Sequence, residues 1–596
     1  DALSYSERIE ECERPENTSG PTSTSWQDIN DHLDTSASNL TELIRELGMR
    51  RYGHIPSVGD AFCGGGSIPF EAARLGCKSF GADLNPVAGL LTWSGLNLVS
   101  GSHAVQQEVS KVQDSAFEEA AKLISEWEIE RNNFGEHAEA YLYCIEVKPQ
   151  GCNYYIPLAP NWVIAEKFQI VVDWEYIEGS DRLRPSVHPV SAAEFKQYKD
   201  RKGATVVGNR VIDPLDSSRS WSFESLRGPS GLRRWTNEDV APQPGDVFQE
   251  RLYCIRWSNA RGERRYAEPG IDDLRREEKT LELLLRNFSD WQDKGFIPSK
   301  RIPEGGSETD RLFRERGWTH WHHLFTPRQL LIHGVVAEKL FEYDGGSRAA
   351  KAASLLAISM LANWDSKLCI WNKNLAKSGG IGAFEQTFAN QALNTLFNFG
   401  SRGFDGLKGF RLSAFSSSQL TSGTISVTDA RDIDMECDMW ITDPPYADAV
   451  NYHELGDFFL AWTEKRLAKE FAEWISDSRA ELAVRGDGDE FRRSMVEIYQ
   501  NLANHMPQNG MQLVMFTHQN PAVWADLGMI LWAAGLKATA AWTISTETAA
   551  GLKKGNYVQG TVCLVLRKRV DGEPGFLFDI YPMVEDEVRS QLSSMQ

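Results

Sequence analysis

At 596 residues the chain exceeds what one ordinary hydrophobic core organises, so two or more domains are expected. An apolar fraction of 41% and an aromatic fraction of 11% suit a well-packed soluble protein, and no apolar run is long enough to span a bilayer. The formal net charge of −20 argues against a surface coated in phosphate contacts, although it leaves room for a local basic face.

The first fifty or so residues are polar, with Ser-Gly-Pro-Thr-Ser at Ser19 to Ser23, and read as a loose lead-in without a signal pattern. Asp1 rather than Met at the start reads as part of a longer product or a processed chain. From Ser57 the pattern becomes strand, Gly-rich turn, helix, strand, which opens a doubly wound α/β unit. The turn Asp60-Ala-Phe62-Cys-Gly64-Gly65-Gly66-Ser-Ile-Pro69 lets the backbone approach a ligand where a side chain would collide. Its spacing is not G-x-G-x-x-G, and Pro69 at its end suits an amino-acid tail better than a pyrophosphate. The next strand, Ser79 to Ala82, ends in Asp83, placed to accept both ribose hydroxyls of a bound nucleoside.

A long insertion follows. Its first half, about Tyr141 to Trp257, reads as short strands and turns; its second, about Asp272 to Phe399, reads as helices. The stretches Arg210 to Trp235 and Arg251 to Arg276 are rich in arginine, with Trp221, Trp235 and Trp257 interleaved. Charge for phosphates and flat faces for stacking are what a nucleic-acid surface needs, and a solvated face of an ordinary domain fits the composition equally. His320, His322 and His323, flanked by Trp318 and Trp321, lack acidic or cysteine ligands at useful spacing, so a nucleic-acid contact or a packing motif is favoured over a metal. Arg328 heads a predicted helix, where it could reach a phosphate or serve a cap. The nine cysteines are spread singly, which fits a reducing cytoplasm.

Strands resume at Ile425 to Val427, Met439 to Thr442, Gln512 to Thr517, Ala538 to Ile544 and Thr561 to Leu566. Asp429-Ala430 follows the first of these and could reach an adenine amino group from an edge beside Asp83. The most specific signal is Asp443-Pro444-Pro445-Tyr446 after Met439-Trp-Ile-Thr442. Two prolines end the ladder and stiffen the turn, leaving the Pro444 carbonyl and the Asp443 carboxylate to accept both hydrogens of one planar amino group. Tyr446 offers a ring to stack on the base. Holding both hydrogens drives the nitrogen towards tetrahedral geometry and aims its lone pair at an electrophile, and the sulfonium methyl of S-adenosylmethionine is such an electrophile. A base inside a duplex cannot reach this turn, so flipping is implied. Asn451, Tyr452 and Glu454 begin a helix that could line the target pocket.

Together these residues resemble the large adenine-specific DNA methylases of bacterial defence islands that carry a zinc-ribbon-like insert. The resemblance runs through Asp60 to Pro86, Tyr154 to Trp162, Gly317 to Gln329, Phe388 to Phe399 and Thr442 to Leu455, with Phe516-Thr-His518 and Thr546-Glu547 near the end. It implies a Rossmann-like methyltransferase fold, doubly wound and mostly parallel, with an inserted β-ribbon and helical region. The expected parts are a lead-in at 1–52, methyltransferase segments at 53–135 and 421–596, a β-rich ribbon at 136–270 and a helical target-recognition region at 271–420. By resemblance Phe62, Gly64 and Gly66 contact the cofactor, Asp83 anchors its ribose, and Asp443 to Tyr446 form the catalytic turn. Asp60, Asp429 and Ala430 join the expected cofactor-binding set; Asn451, Tyr452, Trp318 and Arg328 join the expected DNA-binding set. Asp at the head of the Pro-Pro-Tyr motif favours adenine N6, with double-stranded DNA carrying a flipped adenine as substrate, defence-system proteins as partners and no membrane. An RNA or protein-glutamine methylase and a cofactor-binding scaffold of a defence complex are the alternatives. The family's segment before the Gly-rich turn is largely absent here. The zinc knuckles are broken, since Cys144 and Cys152 are too far apart and Cys254 has no near partner, so a ribbon without zinc is expected, with a site of three cysteines and a histidine as the alternative.

Overall fold

In the computed structural model, residues 21–374, 384–389, 391–412, 420–421, 423–444, 452–474, 488–518, 520–544, 560–570 and 577–594 are described. Seven strands from the two ends of the chain form one sheet: β1 (Ser57–Asp60), β2 (Lys78–Asp83), β3 (Gly423–Val427), β4 (Met439–Thr442), β5 (Met511–Phe516), β6 (Leu536–Ile544) and β7 (Thr561–Lys568). Their order is β3-β2-β1-β4-β5-β7-β6. The first four pairings are parallel, and β7 runs antiparallel to both neighbours. The chain is mixed α/β with a mostly parallel sheet, as its alternating strand and helix patterns predict.

Parallel strands covered on both faces tolerate small residues where neighbours crowd in. A Cβ on Gly59 of β1 would lie 2.4 Å from the Trp440 ring of β4, and one on Gly81 of β2 would lie 2.8 Å from Ile425 of β3. These glycines let four strands and their side chains close up. The register sets Val58 opposite Met439 and Val427 opposite Asp83, so the carboxyl ends of β1 to β4 share one edge.

The insertion between β2 and β3 begins after the helices Pro86–Leu98 and His103–Glu126. Its main sheet is antiparallel, in the order Arg264–Ala267, Phe248–Ser258, His137–Val147, Asn398–Arg402. The last of these strands corrects the sequence reading of a helical segment running to Phe399. It pairs with His137–Val147, and Gly400 at its centre passes the Phe384 ring so closely that a Cβ would lie 2.1 Å from it. The helices Ile271–Lys294, Pro327–Phe341 and Arg348–Trp364 share one hydrophobic core with His103–Glu126 and Tyr452–Glu470. Val87, Leu90 and Val427 of the α/β part belong to that same core, so the insertion is joined to the sheet through apolar burial. Among the described residues no helix is long and apolar enough to cross a membrane.

Candidate functional site

The turn after β1 is built by its glycines. Gly64 and Gly66 have φ of +48° and +84°, a backbone region that side chains disfavour. At Gly66 a Cβ would also lie 2.8 Å from Thr92 Cα, whereas at Gly65 it would meet no atom within 4 Å. One side of the turn is thus closed by the helix Pro86–Leu98, and the other faces open space. Thr92 donates from its hydroxyl to the Gly64 carbonyl at 3.2 Å, fixing the turn from behind.

Two carboxylates organise this edge. Asp60, 2% exposed, accepts the Phe62 amide at 3.0 Å. Asp83 at the end of β2 accepts the Gly64 amide at 2.9 Å on one oxygen and the Asn85 amide at 2.9 Å on the other. Each oxygen keeps a lone pair, so Asp83 stays able to accept a vicinal diol. Burial pushes the Asp60 carboxyl up to about 8, with the charges of Asp83 and Asp443 adding to the effect. Burial also raises Asp83. The edge is therefore a carboxyl-lined enclosure in which Asp60 keeps its proton through neutral pH.

The second half of the site arrives from β4. Asp443 follows directly, exposed, with Pro444 buried behind it. The Asp443 charge is felt by Asp60 on β1 and by the Cys563 thiol on β7, whose elevation is due first to burial. Pro445, Tyr446 and Asn451 lie outside the described residues. The helix Tyr452–Glu470 begins at the expected place, and Gly456 on it passes so close to Asn85 that a Cβ would lie 2.5 Å from Asn85 Nδ2. Asn85 itself caps the helix Pro86–Leu98 by accepting the Val87 amide at 2.9 Å. The helix that follows the Asp443 turn thus touches the residue two beyond Asp83.

Asp429 and Ala430 lie just past β3, on the same edge, where the Thr428 amide donates to the Asp83 carbonyl at 3.1 Å. Asp429 is buried, and Arg431 engages its carboxylate at 2.9 and 2.5 Å. Its role is in part to hold Arg431, which the sequence reading did not include.

Other expected site residues fall elsewhere. Arg328 is fully buried: its guanidinium donates to Glu277 at 2.5 Å and lies 3.9 Å from the Tyr141 ring centre. Trp318 is 2% exposed, beside Lys367, which is paired with Glu250. Neither side chain is offered to an outside ligand, because both belong to the core of the insertion; their expected place in a DNA-binding set is corrected accordingly. His322 and His323 are likewise buried, and desolvation lowers His322 to about 3. His323 Nδ1 accepts the Thr319 amide at 3.1 Å, and Nε2–H donates to the Thr236 carbonyl at 3.0 Å, a packing role. Cys144, Cys152 and Cys254 are buried free thiols, and among the described residues no group of three His, Cys, Asp or Glu side chains is placed to hold a metal ion.

Sequence reasoning left Glu454 as one of several pocket-lining residues; the structure gives it a specific task. Its buried Oε2 accepts the Glu308 and Thr309 amides at 3.0 and 2.8 Å and the Thr309 hydroxyl at 3.0 Å. The carboxylate so caps the helix Thr309–Arg316 and ties the insertion to the helix behind the Asp443 turn. Gly306, where a Cβ would lie 2.2 Å from that oxygen, is the signal in the sequence that could have pointed to it.

A scan of protein-family models and searches of curated proteins and of solved structures returned no match to this chain.

Proposed function

We propose that this chain is an S-adenosylmethionine-dependent methyltransferase of Rossmann-like fold, acting on the exocyclic N6 amino group of adenine in double-stranded DNA at specific sites, in the service of restriction or phage defence. The observation that carries this reading is the sheet's reversal point. Strands step outward from β1 to β2 and β3 on one side, and from β4 to β5 on the other. Ligands of open α/β sheets bind in the crevice at the carboxyl ends of the two strands flanking such a reversal. Here those ends carry the Gly64 turn and the Asp443 turn.

The residues fit the cofactor. The open face at Gly65 leaves room for the backbone to be approached, and Asp83 keeps acceptors for the ribose diol. S-adenosylmethionine held there supplies a methyl group on a cationic sulfur, which departs as a neutral thioether. The rest falls to the chain. Asp443 accepts one hydrogen of the target amine and the Pro444 carbonyl the other, so the nitrogen lone pair is freed from the ring and directed at the crevice. After transfer the nitrogen carries one hydrogen too many, and the Asp443 carboxylate is the group positioned to take that proton.

The test offers DNA, RNA and protein substrates side by side with methyl-labelled cofactor. Asp443→Ala is expected to lower methyl transfer to DNA by about a hundredfold or more, since one preorganised polar partner is worth that much, while cofactor affinity by calorimetry stays within about threefold. Normal transfer by Asp443→Ala would remove the turn from the reaction, and labelling of RNA or protein in place of DNA would reassign the substrate.

A further inference from the structure

The insertion contains a cleft of about 580 Å³, lined among others by Lys148, Gly151, Tyr155, Trp221, Ser225 and Asp246. It lies between the turn after His137–Val147, the strand Ser220–Ser222 with the short helix that follows, and the loop before Phe248–Ser258. Its volume falls in the range of small-ligand sites, about 300–1,000 Å³. Two half-buried aromatic rings, Tyr155 and Trp221, sit in its wall, and cations stand over both. Lys148 Nζ and the Arg182 guanidinium lie 5.6 and 5.4 Å from the Tyr155 ring centre, and Arg219 lies 5.3 Å from that of Trp221.

The arginines are held from inside. Arg182 Nε lies 2.9 Å from Glu146 and Arg219 Nη1 lies 3.4 Å from Asp213, and both carboxylates are fully buried, while the arginine side chains remain 44% and 36% exposed. Burying a carboxylate costs several kcal/mol of desolvation, far more than an ordinary surface arginine needs. Here that cost fixes two guanidinium groups beside the lining residues: Arg182 stands over the Tyr155 ring, and Arg219 stands over Trp221 and donates to the Gly151 carbonyl at 2.8 Å. The acid within the cleft is already compensated: Asp246 is paired with Arg233 at 2.6 Å and accepts the Gln243 amide at 2.8 Å. Lys148 is exposed and adds a positive charge at the entrance.

Stacking surfaces edged by fixed cations suit a flat, anionic unit. We infer that this cleft binds a nucleotide of single-stranded DNA, its base against Tyr155 and Trp221 and its phosphate towards Lys148, Arg182 and Arg219. This rests on the proposed function, in which one strand must be opened around the flipped base. A chain of contacts runs from Phe223, beside the cleft, to the helix that follows the Asp443 turn. Phe223 stacks on Phe397 at 4.9 Å, Arg316 donates to the Leu396 carbonyl at 2.8 Å, Glu308 accepts the Leu393 amide at 2.8 Å, and the Glu308 amide donates to Glu454 at 3.0 Å.

The experiment measures anisotropy of a fluorescein-labelled oligodeoxythymidylate titrated with the full chain, without S-adenosylmethionine. Trp221→Ala and Lys148→Glu are each expected to weaken binding about tenfold, the effect of losing one stacked base or one phosphate contact. Trp221→Phe, which keeps a ring, is expected to stay within about threefold, and Lys122→Glu, exposed on the helix His103–Glu126 and not a lining residue of the cleft, is expected to change nothing. Among the described residues Lys148 makes no ion pair, so its variant remains informative should Trp221→Ala fold poorly. Unchanged affinity in Lys148→Glu, equal loss in Lys122→Glu, or preference for an oligoribonucleotide of the same length would overturn the inference. Methyl transfer is scored separately. Loss of transfer with cleft-dependent binding intact would sink the proposed activity and leave the cleft assignment standing, and the reverse result would do the opposite.

Discussion

The carboxyl edge of the seven-stranded sheet and the helical part of the insertion use the same kinds of residue to different ends. At the edge, Asp60 is held by the Phe62 amide of its own turn, Asp83 by the Asn85 amide of its own turn and the Gly64 amide of the adjoining one, and open space lies in front of Gly65. In the insertion, Arg328, Lys367 and His323 are sealed in the core, and their partners include Glu277, Glu250 and the Ile129 and Thr236 carbonyls supplied by other elements. A charged group satisfied by its own neighbours leaves a surface free for a ligand. One satisfied by distant elements is a fastener between them. The distinction lies in who makes the hydrogen bonds, which residue type alone does not report.

The largest effect expected from this contrast concerns a fastener. Arg328→Ala leaves Glu277 and the Ile129 carbonyl facing an empty site, and breaking one partner of a buried pair costs about 3–5 kcal/mol. Urea denaturation should register that loss. The fraction that remains folded should bind DNA with an unchanged salt slope, whereas a phosphate contact would lower the slope by about one. A reduced slope with unaltered stability would move Arg328 to the binding surface and break the comparison.

Next in size is Gly66→Ala at the edge. It places a side chain in the left-handed region and against Thr92, costing about 2–3 kcal/mol in strain and overpacking, and it should weaken S-adenosylmethionine binding by displacing the Gly64 amide from Asp83. Gly65→Ala, facing open space, should cost under about 1 kcal/mol of stability. Equal stability losses in the two variants, read from thermal melts, would show that the turn is not braced as described. Glu454→Gln tests the link between the two regions. It keeps an acceptor for Thr309 while removing the charge that favours a helix N-terminus, so about 1–2 kcal/mol of stability should go. No change in the denaturation midpoint would reduce that contact to a neutral one.

How far the sequence revealed this arrangement depended on the range over which each feature is determined. Strands β3 to β7 were legible as short runs with apolar residues bounded by turns, and β1 and β2 from the Gly-rich turn and helix between them, all of them local cues. The glycines at 64 and 66 and the acid at the end of β2 were legible for the same reason. For Arg328 and the histidines the sequence leaves a nucleic-acid contact and a structural role both open, because arginine, tryptophan and histidine in a cluster look alike on a surface and in a core. Their partners, such as Glu277 for Arg328, come from separate helices, and no local pattern announces that pairing. Strand Asn398–Arg402 was missed because it is short and finds its partner, His137–Val147, more than two hundred residues upstream. Glu454 belonged to the recognised motif, yet its helix-capping task required the position of Thr309.

The last effect is a slope with pH at the sheet's carboxyl edge, modest over any one pH unit. A carboxyl raised to about 8 in the folded chain keeps its proton where the unfolded chain, with an ordinary value near ~4, has released it. The folded state therefore binds more protons between these values, and the Asp60 contribution to stability falls as pH rises from about 4 to about 8, then levels off. The slope from this one group reaches at most about 1.4 kcal/mol per pH unit. Asp60→Asn retains an acceptor for the Phe62 amide and has nothing to titrate, so its stability relative to the parent chain should rise through that window. Chemical denaturation of both proteins at pH 5, 6, 7 and 8 measures the difference. Parallel curves would mean that Asp60 ionises normally, with water reaching the foot of the Gly64 turn, and the edge would then lack its low-polarity enclosure.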